Sequence, residues 1–262
     1  MKFCSLYSGS SGNSLFVAQG ATRLLIDAGL SGKKIEQAMM EIDELPATLS
    51  GILVTHEHRD HIHGVGVLSR RYGLPVYANA QTWQGMAGDL GKMKDSNICL
   101  FATDVPFSIG DVQITAFPTS HDAAESVGFI LDGGHGTMAV ATDTGCTTAA
   151  MVESLRGHHL VVLESNHDPA MLETGPYPFP LKQRIRGDHG HLSNAAAGET
   201  VCELVDSGVP HIVLAHLSQE NNYPVLAYQA TELALTACGK VPGKDLTLEV
   251  AGRSQRSEIY EW

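Results

Sequence analysis

The feature that most constrains this chain is a recurring pattern in which a short apolar strand is followed at once by histidine or carboxylate residues. Residues 51–54 run into THEHRDH, 111–117 into PTSHD, 138–141 into TDTG and 211–215 into HLSQ, while 159–164 ends in ESNHD. In layered α/β folds, binding and catalytic residues collect where strand ends meet loops. The chain is therefore expected to gather these residues along one edge of its sheets.

Alternating apolar strands and helices predict a layered α/β fold. Strands are expected at 2–7, 14–19, 22–27, 51–54, 75–78, 98–101, 111–117, 126–132, 138–141, 159–164, 211–215 and 245–249, and helices at 31–41, 64–72, 80–87, 193–206 and 223–239. Ser193 is placed to cap one helix, and Pro224 suits the first turn of another. Hairpins mixed with crossovers favour two packed sheets with helices outside, a four-layer αββα sandwich. No linker interrupts residues 1–262, so a single domain is expected.

Composition narrows the class of protein. Hydrophobic residues make up 43% of the 262 residues and charged residues 18%, which is ordinary for a globular domain. No apolar run approaches a membrane span or a signal segment, and the five cysteines are scattered without CxxC spacing. A cytoplasmic protein without a disulfide framework is therefore expected. The net charge of −12 excludes a broad cationic surface, but not a local basic strip or charge supplied by metals.

Histidine is the overrepresented residue type, with thirteen in the chain, and several potential ligands are packed into the motif His56-Glu-His58-Arg-Asp60-His61. On a strand-to-loop turn, His56 and His58 point the same way, while Asp60 and His61 can curl round to a second position. Imidazole with carboxylate suits zinc, iron or manganese, and the lack of cysteine disfavours a purely structural zinc site. A histidine-rich surface loop is the alternative interpretation.

The motif HxHxDH resembles the metallo-β-lactamase superfamily in order and spacing, and the resemblance covers essentially the whole chain. The matching ligand positions are His56, His58, Asp60, His61, His121 in PTSHD, Asp143 in ATDTG and His216 in LAHLSQENN. The resemblance implies the αββα sandwich and two divalent ions, zinc or manganese, with His56, His58 and His121 on one ion. Asp60, His61 and His216 would hold the other, and Asp143 would bridge them. Incomplete protein coordination would leave room for the hydroxide that attacks the substrate.

Two further segments resemble metal-dependent nucleases of this superfamily. GHLSNAAAGE around His191 is similar to the Gly-His-Ser/Thr segment of tRNase Z and the β-CASP nucleases, whose histidine meets the scissile phosphate. Glu164 in VVLESN is similar to the acidic residue that follows in those nucleases, and a buried Glu–His pair can orient a proton donor. The expected catalytic residues are therefore Asp60, Glu164 and His191. The chain between Glu164 and His191 is too short for a β-CASP domain, and no tRNA-clasping arm is recognisable.

The segments CSLYSGSSGNSLFV, GPYP-x-x-LKQRI and GHLSN together resemble the YycJ/WalJ branch, whose members are compact single-domain proteins. That resemblance implies a DNA exonuclease, acting 5′ to 3′, with DNA as its partner. A thioester, lactone or small-molecule phosphodiester hydrolase on the same metals is the enzymatic alternative. A metal-binding regulator without turnover is the non-enzymatic one, and the Glu164–His191 pair argues against it because binding alone needs no such pair.

Two segments are expected to contact substrate phosphate beside His191. The loop of residues 8–13 can present backbone N–H groups to an anion, which makes Ser10 and Asn13 candidates, although a plain hairpin turn explains the loop equally well. Lys182, Arg184 and Arg186 form a run with no acidic residue between 173 and 188. A solvated helix face is the alternative interpretation of that run.

Overall fold

The strands of the chain form two seven-stranded sheets in a computed structural model that describes all 262 residues. The strands are β1 (Lys2–Tyr7), β2 (Ser14–Gln19), β3 (Thr22–Ile26), β4 (Gly51–Leu53), β5 (Val76–Ala78), β6 (Ile98–Leu100), β7 (Phe107–Ile109), β8 (Val112–Pro118), β9 (Val127–Asp132), β10 (Thr137–Ala141), β11 (Leu160–Glu164), β12 (His211–Ala215), β13 (Thr247–Val250) and β14 (Tyr260–Glu261). The helices are α1 (Gly32–Met40), α2 (Arg59–Ile62), α3 (Val65–Tyr72), α4 (Ala80–Met86), α5 (Ala149–Leu155), α6 (Pro169–Thr174), α7 (Phe179–Arg186), α8 (Asn194–Asp206) and α9 (Pro224–Ala237). None of these helices is long and apolar enough to cross a membrane.

Each sheet changes from antiparallel to parallel pairing along its strand order. The first sheet runs β14-β1-β2-β3-β4-β5-β6 and the second β13-β12-β11-β10-β9-β8-β7. Pairing is parallel from β3 to β6 and from β10 to β13. Parallel neighbours need a crossover connection, so the carboxyl ends of the strands in each parallel half face the same edge. That arrangement carries the residues that follow β3, β4, β10, β11 and β12 toward one side of the molecule.

Successive strand residues face different layers of the core. Phe3, Leu24 and Val162 lie in the cluster between the two sheets. Leu25, one residue after Leu24, packs with the cluster under α1 and α3, whereas Val161 packs with the cluster under α5, α8 and α9. Because side chains alternate between the two faces of a strand, each sheet is covered on both sides. The predicted four-layer αββα sandwich is confirmed.

The predicted long elements are present, and the elements that the sequence did not predict are mostly short. Ser193 caps α8 by accepting a hydrogen bond from the Ala196 N–H at 3.2 Å, and Pro224 begins α9, both as expected. The helices α2, α5, α6 and α7 and the strands β7 and β14 were not predicted. These elements have eight residues or fewer, too few to show a clear hydrophobic period. All five cysteines are free thiols.

Candidate metal centre

Strand ends of the two sheets bring the predicted ligands together at one edge. His56 follows β4, His121 follows β8, Asp143 follows β10, and His216 follows β12, while Asp60 and His61 lie in α2. In each of three overlapping groups the ligand atoms lie within 4.8 Å of one another. These groups are His56–His58–His121, Asp60–His61–His216 and His56–His61–Asp143. The first two have the same members as the two ligand sets that the resemblance predicted.

Left-handed backbone turns aim several of these side chains. Asp27, Asp143 and His216, each the first or second residue after its strand, have φ values of 60°, 55° and 57°. Such values are uncommon outside glycine, but aspartate and histidine adopt them more readily than most residues. Strained backbone of this kind concentrates at functional sites, where the surrounding structure must hold it in place.

Hydrogen bonds behind His56 and His121 hold the Nδ1 atoms of these two residues, so that their Nε2 atoms face inward. His121 Nδ1 donates to the Gly190 carbonyl at 3.0 Å, and His56 Nδ1 lies 3.0 Å from Thr55 Oγ1. His56 Nε2 is buried and has no hydrogen-bond partner. His58 Nδ1 and His121 Nε2 face each other at 3.2 Å. The ring nitrogens of the three residues therefore converge on one point.

A carboxylate stands behind each histidine of the second group. His61 Nδ1 lies 2.7 Å from Asp27 Oδ2, and His216 Nδ1 lies 2.8 Å from Glu164 Oε1. The opposite nitrogens face Asp60, with Nε2–Oδ2 distances of 3.6 Å for His61 and 3.5 Å for His216. A carboxylate that accepts from one ring nitrogen fixes the tautomer and leaves the other nitrogen as a metal ligand.

Unpartnered buried atoms test whether these residues fit a divalent metal. His56 Nε2, His216 Nε2 and Asp143 Oδ2 are buried without a hydrogen bond. Asp143 Oδ2 lies 3.2 Å from His61 Nε2, but outside hydrogen-bond geometry. An unsatisfied buried polar atom costs about 1–3 kcal/mol, so several in one place point to a missing partner. Nitrogen and oxygen donors without thiolate suit zinc or manganese. The residues therefore fit divalent metal ions.

Glu164 is fully buried and binds two histidines at once. Its Oε1 accepts from His191 Nδ1 and from His216 Nδ1, each at 2.8 Å, and its Oε2 accepts from the Thr144 N–H at 2.7 Å. Burial raises the pKa of Glu164, but the positive charge of His191 and the hydrogen bonds from His191 and His216 outweigh burial and bring that pKa to about 2. Glu164 therefore stays ionised and acts through the histidines, which makes it a positioning residue.

His191 presents one ring nitrogen toward a small cavity. With Nδ1 held by Glu164, Nε2 makes no hydrogen bond, and 21% of the side chain is exposed. Burial lowers the pKa of His191, but the charge of Glu164 outweighs it, so the net shift is upward. The cavity has a volume of about 140 Å³, and Ser10, Tyr177 and Arg184 also line it. This arrangement is suited to a proton donor.

The predicted cationic run lies on α7, where its two arginines pair with carboxylates and Lys182 donates to a backbone carbonyl. Arg184 Nη2 lies 3.1 Å from Asp122 Oδ1, Arg186 pairs with Glu173, and Lys182 Nζ donates to the Glu173 carbonyl at 2.6 Å. An acidic partner reduces the charge that each arginine offers to a phosphate. Arg184 still lines the cavity of His191, so this part of the run lies where it was expected.

The loop of residues 8–13 divides into an inner and an outer part. Asn13 is buried, its Oδ1 accepts from the Gly9 N–H at 2.8 Å, and its Nδ2 lies 3.1 Å from His61 Nε2. These contacts favour a structural role for Asn13 over the predicted contact with phosphate. Ser10 is exposed at the rim, and the backbone N–H groups of Ser10 and Ser11 donate to no group of the protein.

Asp27 is the residue of this site that the sequence analysis missed. Besides His61, its carboxylate accepts from the Thr55 N–H at 2.9 Å and from Thr55 Oγ1 at 2.8 Å. It therefore connects the end of β3 to the start of the metal-binding motif. The signal was present, because Asp27 follows the apolar run LLI directly, just as the other site residues follow their strands.

Comparisons with known proteins identify the family of the chain and agree with its fold. The sequence profile of the β-lactamase superfamily domain matches residues 22–217. The exodeoxyribonuclease YycJ of Bacillus anthracis is 40% identical over 91% of this chain and 90% of its own length. The exodeoxyribonuclease WalJ of Streptococcus pneumoniae is 43% identical over 87% of this chain and 85% of its own length. The solved structure of the metallo-β-lactamase fold protein YhfI from Bacillus subtilis is similar with a TM-score of 0.73, at 16% identity over 99% of both chains.

Proposed function

This chain belongs to the β-lactamase superfamily, and from that premise we propose that it is a metal-dependent phosphodiester hydrolase that degrades DNA from a strand end. The observation that carries the proposal is the Glu164–His191 pair beside the metal ligands, with His191 Nε2 free at the mouth of the site. The relatives named exodeoxyribonuclease, at 40% and 43% identity, support DNA as the substrate. The 5′ to 3′ polarity and a cytoplasmic location stay predictions from the sequence.

The proposed cofactor is a pair of divalent ions, zinc or manganese. His56, His58 and His121 would hold one ion, Asp60, His61 and His216 would hold the other, and Asp143 would be shared. When bound, two such cations neutralise charge on phosphoryl oxygens and lower the pKa of water. Asp60 belongs to this machinery as a ligand, because its Oδ2 faces the Nε2 atoms of both His61 and His216.

The protein's own contribution is to hold and move a proton at His191. Glu164 keeps the Nδ1–H of His191 engaged, so the ring has one orientation and Nε2 points to the side where substrate enters. From Nε2, a proton passes to the leaving oxygen of the scissile phosphodiester. A thioester needs less help of this kind, because a thiolate leaves more readily than an alkoxide.

End-labelled DNA tests the proposed function. Metal-loaded protein is offered linear single strands labelled at either end, together with a closed circular strand of the same composition. An exonuclease degrades the linear strands and spares the circle, and 5′ to 3′ action releases the 5′ label first. Cutting of the circle at the same rate would contradict attack from an end. Turnover of a thioester without degradation of DNA would replace the proposal by its rival.

Replacement of His191 tests the assigned proton donor. His191→Ala is expected to lower DNA hydrolysis by about 10²–10⁴-fold, the range for a general acid, while metal content stays at the wild-type level. The matched control is His135→Ala, which alters an exposed histidine in the loop between β9 and β10. This variant is expected to keep full activity. Loss of metal from His191→Ala would show that His191 is a ligand instead.

A further inference from the structure

A second cavity, of about 470 Å³, borders the metal centre at Asp60. Lys34 of α1, Arg59 and His63 line it, and Ser10 lies both on its rim and on the rim of the His191 cavity. The two cavities therefore adjoin the same serine on the outer part of the loop of residues 8–13. Neither Lys34 nor Arg59 was singled out by the sequence, because they lie in separate segments and form no run.

The cations of this cavity differ from those of α7 in having no partner. The side chains of Lys34 and Arg59 are exposed and make no ion pair or hydrogen bond within the protein. Asp60, the one carboxylate that lines the cavity, faces His61 and His216 and is proposed above as a metal ligand. In a chain of net charge −12, the cavity thus combines free positive charge with direct access to the metal centre.

We propose that Lys34 and Arg59 bind backbone phosphates of the DNA strand next to the scissile bond. This inference rests on the proposed function and specifies the path of its substrate. The DNA strand runs from the His191 cavity past Ser10 and into the cavity lined by Lys34 and Arg59. The unengaged N–H groups of Ser10 and Ser11 line this path as further donors to phosphate oxygens. The α7 arginines, whose charge is shared with Asp122 and Glu173, contribute less to binding.

The salt dependence of binding reports such contacts. Each phosphate contact that a cation makes on a single strand releases counterions and adds about 0.7 to the slope of log K against log salt. A fourfold rise in salt should therefore weaken DNA binding about 2.5-fold less in a variant that has lost one contact than in the wild-type protein. Loss of a bound metal cation would also change the slope, so the metal content of each variant is measured alongside binding.

The test compares Lys34→Gln with Lys33→Gln in the metal-loaded protein. Lys33 is the adjacent residue of α1, is also exposed and does not line the cavity. Both variants replace a lysine by glutamine and so make the same change in net charge. The probe is a fluorescent single strand with phosphorothioate linkages that resist cleavage. We expect Lys34→Gln to flatten the slope by about 0.7 and Lys34→Gln/Arg59→Gln by about 1.4, with Lys33→Gln keeping the wild-type slope. Steady-state KM for cleavable DNA should rise in step, with kcat unchanged in Lys34→Gln.

Two results would overturn the inference. An unchanged salt slope in both Lys34→Gln and Lys34→Gln/Arg59→Gln would show that the DNA strand does not pass through the cavity lined by Lys34 and Arg59. Equal flattening by Lys33→Gln and Lys34→Gln would show a general charge effect in place of a binding site. Failure of the wild-type protein to degrade DNA would instead remove the proposed function, and it would be seen separately, because binding is measured on a strand that is not cut.

Discussion

At the residue scale, two buried carboxylates, Asp27 and Glu164, organise the site without being presented to substrate. Each follows or ends a strand, and each accepts a hydrogen bond from the Nδ1 atom of a proposed metal ligand. The sequence was sufficient to nominate the proposed ligands, because they are concentrated in short motifs. It also predicted the Glu164–His191 pair, but not the contact of Glu164 with His216, which is 52 residues away and follows a different strand.

Replacement of Asp27 by asparagine should weaken metal binding. The variant keeps the size of the side chain but removes the charge that holds His61 in its ligand tautomer, and changes of this kind typically cost 10–100-fold in metal affinity. Competition with a chromogenic chelator measures the loss. Asp43→Asn is a matched control, since Asp43 has nearly the same backbone conformation, with φ of 59° against 60°, and is exposed. Equal metal affinities in Asp27→Asn and Asp43→Asn would contradict the role assigned to Asp27.

At the element scale, backbone hydrogen bonds fasten the loop after β3 to the metal-binding motif. The Asn13 N–H donates to the Asp60 carbonyl, the Ala28 N–H to the His61 carbonyl, and the Gly29 N–H to the Asn13 carbonyl, each at 2.8 Å. These bonds join segments that are distant in sequence, so no local pattern predicts them. The pairing of α7 with Asp122 was unpredictable for the same reason, since Arg184 and Asp122 are 62 residues apart.

Gly29 lies where the loop after β3 contacts the backbone of Asp60 and Asn13 too closely for any side chain. A Cβ atom at Gly29 would lie 1.6 Å from the Asp60 carbonyl oxygen and 2.6 Å from the Asn13 nitrogen, both backbone atoms that cannot rotate away. Gly29→Ala is expected to reduce the free energy of unfolding by about 3 kcal/mol or more, at the upper end for overpacking, and to lower metal affinity because Asp60 is displaced. Urea denaturation measures the first effect and metal titration the second.

Gly88 provides the control for that substitution. A Cβ atom there meets nothing within 4 Å, and its backbone conformation is an ordinary one. Gly88→Ala is expected to be neutral or slightly stabilising, because alanine restricts the unfolded chain. Similar stability of Gly29→Ala and Gly88→Ala would mean that the loop after β3 and the segment carrying Asp60 separate easily. The contact between them would then not hold the proposed ligands in place.

At the scale of the whole molecule, periodicity in the sequence was sufficient to predict the layers but not the order of the strands. Strands with apolar residues at nearly every position, such as β11 and β12, indicate burial on both faces and hence a layer of helices outside each sheet. The position of β14 beside β1 was not predictable, because only two residues pair and they come from opposite ends of the chain. The site takes its residues from segments that follow strands of both sheets, so its geometry depends on both sheets forming.

Metal binding should therefore stabilise the whole fold, because ions held by both sheets bind the folded chain and not the unfolded one. At a free concentration of 100 times Kd, each site contributes about 2.7 kcal/mol. For a domain of this size, 1 kcal/mol corresponds to about 2–4 °C in Tm, so each filled site should raise Tm by about 5–10 °C over chelator-treated protein.

Asp60→Ala leaves the group His56, His58 and His121 intact and should retain one equivalent of metal and about half of the rise in Tm. Thermal denaturation across a metal titration, with elemental analysis of the same samples, measures both quantities. A wild-type protein that saturates at one equivalent, with Asp60→Ala indistinguishable from it, would contradict the assignment of two ions, because the second ligand group would then contribute nothing to the stability of the folded chain.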